Sequence, residues 1–340
     1  VPGVADDTDL LRVENLSLQF RTAAGPARVL DQVNLVVRAG EIVGLVGESG
    51  CGKTTLARAV LGTLPPGLTQ VTGGGIRLVG TDMLDGGPAT LAARGRVVTF
   101  VPQDPFASFN PLFSVGTQVM DLMRWRSPRR GVERWGYPRA RRRADFQAVL
   151  DMLDAVQLPQ PRRILAKRPH ELSGGQRQRV MIAMALLPQP RLVIADEPTT
   201  ALDVTVQAQI LGLLRRLAAD RGVSVLFTTH DLGAAWEICD RVAVMYAGQT
   251  AEVAPREAFF AHPRHPYTSM LLRSLPEEGR HPVGIPGQVP SPVAHTGGCR
   301  FHPRCPSATA VCGKERPALT QSGAGHLTAC HHPVTEAAFG

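Results

Sequence analysis

Gly47-Glu48-Ser49-Gly50-Cys51-Gly52-Lys53-Thr54 is the stretch that decides the fold. It follows a strand-like run, residues 41–46, and opens a helical stretch predicted over residues 54–64. Strand, glycine-rich turn and helix in that order make a phosphate-binding loop. Gly47, Gly50 and Gly52 let the backbone turn tightly and aim N–H groups inward around Ser49 and Cys51. Those donors and the helix N-terminus together suit an anionic phosphate. Lys53 is expected to reach the β- and γ-phosphates, and the Thr54 hydroxyl to ligate Mg²⁺, a cation that prefers oxygen. Thr55 is expected to add a further phosphate contact.

Downstream, the apolar run Leu192-Val193-Ile194-Ala195 has the look of a buried parallel strand and delivers Asp196 and Glu197. Ligands in such sheets collect at the carboxyl ends of strands, which points Asp196 at the Mg²⁺ shell. Two further apolar runs end beside polar residues: residues 97–101 before Gln103, and residues 224–229 before His230. Neither a lone glutamine nor a lone histidine says much. Here the Asp104-Pro105 and Thr-Thr-His-Asp contexts add weight.

Between the phosphate loop and Asp196 lies Leu172-Ser173-Gly174-Gly175-Gln176. The order of these motifs resembles the ATPase subunit of an ATP-binding-cassette (ABC) transporter. The resemblance implies ATP as substrate, with Glu197 as the base that polarises the attacking water. It makes Gln103 the glutamine that senses Mg²⁺ and γ-phosphate, His230 the switch histidine, and Asp203 an aspartate that crosses a dimer interface. Phe20 is similar to the aromatic that stacks on adenine, a contact suited to a flat base. Ser173, Gly174, Gly175 and Gln176 would complete the γ-phosphate site of a second cassette. One phosphate loop and one LSGGQ therefore imply pairing with a copy of this chain or with a sister ATPase.

The 340 residues carry a net charge of +8, and one segment accounts for it: nine arginines against Glu133 between Arg124 and Arg143. A solvated, partly disordered insertion is one reading of that segment, and contact with anionic lipid headgroups beside a permease is another. Nucleic-acid binding is not expected, since no groove-reading or single-strand motif accompanies the charge. The chain has no apolar run of about 18 residues such as a membrane span needs. Asp6, Asp7 and Asp9 give no signal-peptide pattern, so the expected location is the cytoplasmic side of the cell membrane, peripherally bound.

The expected fold is α/β: a RecA-like P-loop NTPase core with an antiparallel β subdomain, a helical subdomain and a small irregular Cys-containing C-terminal domain. Strand-like alternation over residues 10–40 reads as the antiparallel sheet. Residues 104–187 read as mostly helical, and residues 188–253 return to strand–helix alternation. Gly73-Gly74-Gly75 and Asp85-Gly86-Gly87-Pro88 punctuate a further strand region. We place the nucleotide-binding domain at 1–260 and an extension at 261–340. Prolines crowd the chain from Pro255 to Pro306, which disfavours long regular elements.

The resemblance narrows in three places. Gln103-Asp104-Pro105 continues to Ser108-Phe109-Asn110-Pro111, similar to a run in di- and oligopeptide importer ATPases, with Phe109 departing from the usual leucine. The stretch from Pro198 to Gln207 is similar to the same group. So is the tail, with His265-Pro266-Tyr267-Thr268, Ile285-Pro286-Gly287 and the segment Gly298 to Pro306. A peptide importer ATPase is implied, with two transmembrane permeases and an extracytoplasmic binding protein. Nickel and glutathione importers share these motifs, and a soluble ABC ATPase of DNA repair or translation is the remote alternative. A catalytically dead cassette is disfavoured by Lys53, Asp196, Glu197 and His230.

Four of the six cysteines, Cys299, Cys305, Cys312 and Cys330, fall in the tail. Cytoplasmic thiols stay reduced, so disulfides are not expected. A metal centre would hold closed a tail too short and Pro-rich for a core of its own. Zn²⁺ and a [4Fe–4S] cluster both accept four thiolates. The spacing lacks the close cysteine pair usual for zinc, and some peptide-importer ATPases carry such a cluster on a similar tail, which favours [4Fe–4S]. His302, His331 and His332 are substitute ligands.

Overall fold

The computed structural model describes residues 9–131, 136–200, 202–275, 284–293 and 297–334. The described residues open with two long strands, β1 (Asp9–Thr22) and β2 (Gly25–Arg38), then β3 (Ile42–Val46), α1 (Lys53–Val60), β4 (Thr69–Leu78) and β5 (Thr81–Asp82). Next come α2 (Pro88–Ala93), β6 (Val98–Val101), α3 (Val115–Arg126), α4 (Arg139–Ala155), α5 (Pro161–Ala166), α6 (Gly174–Leu186), β7 (Leu192–Asp196) and α7 (Val204–Arg221). β8 (Ser224–Thr229), α8 (Leu232–Ile238), β9 (Arg241–Tyr246), β10 (Gln249–Pro255), α9 (Arg256–Ala261) and α10 (Pro266–Arg273) follow. The tail holds α11 (Ala310–Lys314), β11 (Thr320–Gly323) and β12 (His326–Thr328).

Two compact units result, one of residues 1–85 and 227–340 and one of residues 86–226. In the first, β2, β1, β4 and β5 form an antiparallel sheet in that order. Leu11 and Val13, then Leu16 and Leu18 of β1, are fully buried, alternation on either side of an irregularity between Val13 and Leu16 as expected of a strand with one covered face. The same unit holds the strand order β11-β12-β10-β9-β3, with β3 parallel to β9. Every residue of β3 is buried, as a parallel strand covered on both faces requires. The tail is not free-standing: β12 pairs antiparallel with β10 through Glu252↔Thr328 and Val253↔Leu327. Glu252, fully buried, accepts from the N–H groups of Arg264 (2.7 Å) and His265 (2.9 Å) and pairs with the His326 imidazole.

In the second unit β6 and β7 run parallel, Val101 opposite Ala195, so their carboxyl ends are level. In the same unit α3, α4 and α5 fall between Gln103 and the LSGGQ segment, and α6 completes the helical content expected over residues 104–187.

Three expectations are corrected locally. The helix after the phosphate loop ends at Val60, four residues short of the reading, because Gly62 turns left-handed (φ +64°) and Pro65-Pro66 cannot continue a helix. The glycines at 73–75 lie inside β4 and do not bound it. Within the stretch read as mostly helical, an amphipathic run from Asp145 to Val156 is expected, and the helix begins six residues earlier, at Arg139. The arginine-rich segment is accordingly folded over its described part. Arg124 and Arg126 close α3, and Arg139 to Arg143 open α4. The fully buried Asp145 carboxylate organises it, accepting from Ser127 Oγ (2.6 Å) and Tyr137 Oη (2.9 Å), with Arg129 and Arg141 guanidinium nitrogens at 3.8 and 3.9 Å. Arg141 also stacks on the Tyr137 ring at 4.5 Å. Glu133, Arg134 and Trp135 lie outside the described residues.

Candidate functional site

In the first unit, β3 runs straight into the loop Gly47–Gly52, and Gly52 caps α1 at φ +109°. Glycine is required here by space as well as by torsion. A Cβ on Gly47 (φ +148°) would sit 2.2 Å from the Met245 carbonyl oxygen, and one on Gly52 2.9 Å from Leu30. The loop therefore presents its amides with no side chain in the way. Lys53 is 6% exposed, and its Nζ donates to the carbonyls of Gly47 (2.7 Å) and Glu48 (3.3 Å). The ammonium thus sits over the mouth of its own loop, the position a phosphate oxygen would share. Ser49, Gly50 and Thr54 are exposed and Thr55 half-buried, while Cys51 is buried, with its thiol pKa raised by desolvation. Gly248 N–H donates to Cys51 O (2.9 Å), tying the loop to the β9–β10 turn.

His230 follows β8 and is exposed; the next residue, Asp231, caps α8 by accepting from Gly233 N–H (2.8 Å) and Ala234 N–H (3.2 Å). Such a cap fixes the chain direction on leaving the strand. Phe20 sits half-buried on β1, opposite Ala27 of β2 and Thr69 of β4.

In the second unit, β7 ends in Asp196, 4% exposed, and Glu197. Gln103, beyond β6, donates from Nε2 to Glu197 Oε2 at 3.0 Å. Thr200 Oγ1 donates to the same oxygen at 3.2 Å and to the Glu197 carbonyl at 3.3 Å. Glu197 holds φ +46°, a left-handed conformation costing a non-glycine residue about 1–2 kcal/mol. Strain of this kind concentrates where a side chain must be aimed. The aligned strand ends thus bring together Gln103, Asp196 and Glu197, all singled out from the sequence. Thr200 was missed; a threonine in a Thr-Thr pair carries no signal of its own.

The LSGGQ segment starts α6. Ser173 Oγ accepts from Gln176 N–H (3.3 Å) while Gln176 Oε1 accepts from Ser173 N–H (3.2 Å), a reciprocal capping box. The Ser173 hydroxyl remains exposed with its own proton to donate. A Cβ on Gly175 would meet Val206 at 3.0 Å and one on Gly174 would meet Leu202 at 3.4 Å, so α6 starts close against the start of α7. Asp203 caps α7 by accepting from Val206 N–H at 3.0 Å.

In the tail of the first unit, Cys299, Cys305, Cys312 and Cys330 line one hollow with His302, His331, His332 and Phe301. All four cysteines are free. Burial raises the thiol pKa of Cys299 and Cys305 and pushes that of Cys330 up to about 11. The histidines are otherwise engaged: His302 Nδ1 with Cys299 O (2.9 Å), His331 Nε2 with Glu315 O (2.9 Å) and His332 Nε2 with Thr309 Oγ1 (2.8 Å). Among the described residues, no group of three or more His, Cys, Asp or Glu is poised to hold a metal ion. Donor type and the shared hollow suit a four-thiolate group, but the described residues do not gather there as a metal-holding set.

Fold and motifs together define an ATP-binding cassette. The family described as ABC transporter matches residues 30–200, and that described as oligopeptide/dipeptide transporter, C-terminal region, matches residues 251–312. The solved dimer of the ATP-binding cassette MJ0796, bound to ADP and Pi, aligns with a TM-score of 0.60 at 27% identity, covering 72% of this chain and 98% of that one. The chain belongs to the ABC transporter family, as its ATP-hydrolysing cassette subunit. Similar proteins include the dipeptide transport ATP-binding protein DppD of Escherichia coli K12, 40% identical over 96% of this chain and 98% of that protein. The oligopeptide transport ATP-binding protein OppD of Salmonella typhimurium is 41% identical over 96% and 95%.

Proposed function

We propose that this subunit hydrolyses ATP to drive import of di- or oligopeptides through partner permeases. One observation carries the reading: a cassette and an oligopeptide/dipeptide-type tail occur in the same chain. In the mechanism we propose, the Gly47–Gly52 amides and Lys53 hold the phosphates, and Phe20 stacks on the base. Thr54, Asp196 and Gln103 would hold Mg²⁺, which neutralises charge on the phosphates when bound. Glu197, aimed by Gln103 and Thr200, takes the proton of the attacking water, and His230 contacts the γ-phosphate. Ser173, Gly174, Gly175 and Gln176 act on the ATP of a second cassette, and Asp203 with the exposed Val204 faces that partner. Functionally we divide the chain at residue 260, with the tail from 261 onward as an importer-specific extension. Reconstituted with its permeases in vesicles, the subunit should hydrolyse ATP faster when a peptide-loaded binding protein is present. Stimulation by nickel or glutathione in place of peptide would reassign the cargo.

The permease contact we assign to the segment after Gln103. Asp104 Oδ1 accepts from Phe106 N–H (2.7 Å) and Ala107 N–H (3.2 Å), and Asn110 Oδ1 from Leu112 N–H (3.0 Å). These turns leave Phe106, Leu112 and Phe113 at 50, 75 and 51% exposure, an apolar edge beside Gln103. Among the described residues no helix is long and apolar enough to cross a membrane. Leu112→Asp with Phe113→Asp should leave ATP affinity of the isolated chain unchanged. Co-purification with the permeases should fall at least about tenfold, as loss of an interface hot spot implies. Undiminished co-purification would move the contact elsewhere.

For the four cysteines we propose a structural [4Fe–4S] group, supported by four thiols around one hollow with the neighbouring histidines otherwise bonded. Protein purified without oxygen should be brown and contain iron and acid-labile sulfide. Colourless protein with one zinc per chain would replace the cluster by zinc, and protein with neither would remove the site.

A further inference from the structure

A carboxylate in a phosphate-binding loop is a liability, because it adds negative charge where a polyanion must enter. Glu48 is such a residue. Arg304, from the tail, meets it with a bidentate pair: Nη1 to Glu48 Oε2 at 2.8 Å and Nη2 to Oε1 at 3.1 Å. The Arg304 side chain is only 4% exposed, and every branch of it is placed. Nε donates to Pro286 O (2.9 Å), Nη2 to Ile285 O (3.0 Å) and Nη1 to Tyr246 Oη (3.2 Å). The Glu48 main chain is held separately. Its N–H donates to Tyr267 Oη at 3.0 Å, and Tyr267 is fully buried with ring centroids of Tyr246 and Phe301 at 4.6 and 5.3 Å. Tyr267 is fixed in turn, its N–H donating to His265 Nδ1 at 3.0 Å. Burial pushes the His265 pKa down to about 4, which keeps that nitrogen an acceptor.

We propose that Arg304 and Tyr267 are positioning residues for the nucleotide site. Arg304 neutralises Glu48, and with the Tyr267 hydroxyl it fixes the first turn of the phosphate loop in the form that receives ATP. The extension is then a working part of the cassette. This rests on ATP binding at the loop and is independent of the cargo.

A mere tail anchor has a natural control in Arg316, which donates to Asp31 O (2.7 Å) and lies 3.2 Å from Asp31 Oδ1 on β2. It fastens the tail without touching Glu48. The experiment uses the full chain, a fluorescent ATP analogue for affinity and steady-state hydrolysis in the assembled transporter. Arg304→Met should raise both the analogue Kd and the KM for ATP about tenfold, with kcat at saturating ATP falling less than about twofold. Arg316→Met should lower Tm and leave KM unchanged. Adding Glu48→Gln to Arg304→Met should recover most of the lost affinity, because the uncompensated charge is gone; an anchor lost from both ends would show no recovery. Tyr267→Phe, which keeps the packing and deletes one hydroxyl, should raise KM about threefold. Unchanged affinity in Arg304→Met or in Tyr267→Phe would overturn the proposal. So would a loss matched by Arg316→Met, or a double variant no tighter than Arg304→Met.

Discussion

A Glu197→Gln variant should bind ATP as the wild type does and hydrolyse it about 100 to 10,000 times more slowly, the usual contribution of a positioned general base. The substitution is nearly isosteric, and Thr200 Oγ1 and Gln103 Nε2 can still bond the amide oxygen that replaces Glu197 Oε2. What disappears is the capacity to take up the water's proton. The left-handed backbone at Glu197 is kept, so any loss cannot be assigned to a re-aimed side chain. Undissociated ATP should then hold two cassettes together, visible as an ATP-dependent dimer in size-exclusion chromatography. Turnover at the wild-type rate would remove Glu197 from the role of base.

The second large effect separates two residues that belong to different composite sites. Lys53→Ala should weaken ATP binding by the isolated chain about 100-fold, since a hydrogen-bonded charge partner of the phosphates is gone. Ser173→Arg should leave that affinity unchanged and still lower hydrolysis by the assembled transporter at least about 100-fold. Ser173 is exposed at the start of α6, away from any role in its own phosphate loop under this reading, and Arg there blocks the approach of a second cassette. The lost N-cap costs about 1 kcal/mol, enough to fray the first turn of α6 and too little to unfold the unit. Nucleotide titration of the isolated chain and turnover of the assembled one give the comparison. Equal loss of affinity in both variants would put Ser173 and Lys53 in one site and remove the need for a second cassette.

Motifs carried most of the candidate site. Gly47, Gly52 and Lys53 were legible because a strand–glycine loop–helix has one physical use, and Ser173 and Glu197 because their order along the chain matches a family. The limits of the helix after the loop were less legible: Lys53 starts it one residue early, and Gly62 with Pro65-Pro66 stops it at Val60. In the arginine-rich segment most of the described arginines are exposed, and what composition did not announce is the local anchor: Asp145, distant from Ser127 and Arg129 in sequence, draws them and Tyr137 together.

By itself the sequence determined the motifs: a phosphate loop, an acidic strand end and the LSGGQ segment, each defined by residues near one another along the chain, with four cysteines placed in the tail. Tertiary structure alone decided which distant residues answer them. Arg304 lies far along the chain from Glu48, and nothing in either neighbourhood announces the pair; it exists because the tail strand β12 adds to β10 and brings the Cys299–Cys305 segment back to the loop. Local spacing encodes motifs and caps, while long-range ion pairs depend on how strands are ordered in a sheet, which no short stretch of sequence records.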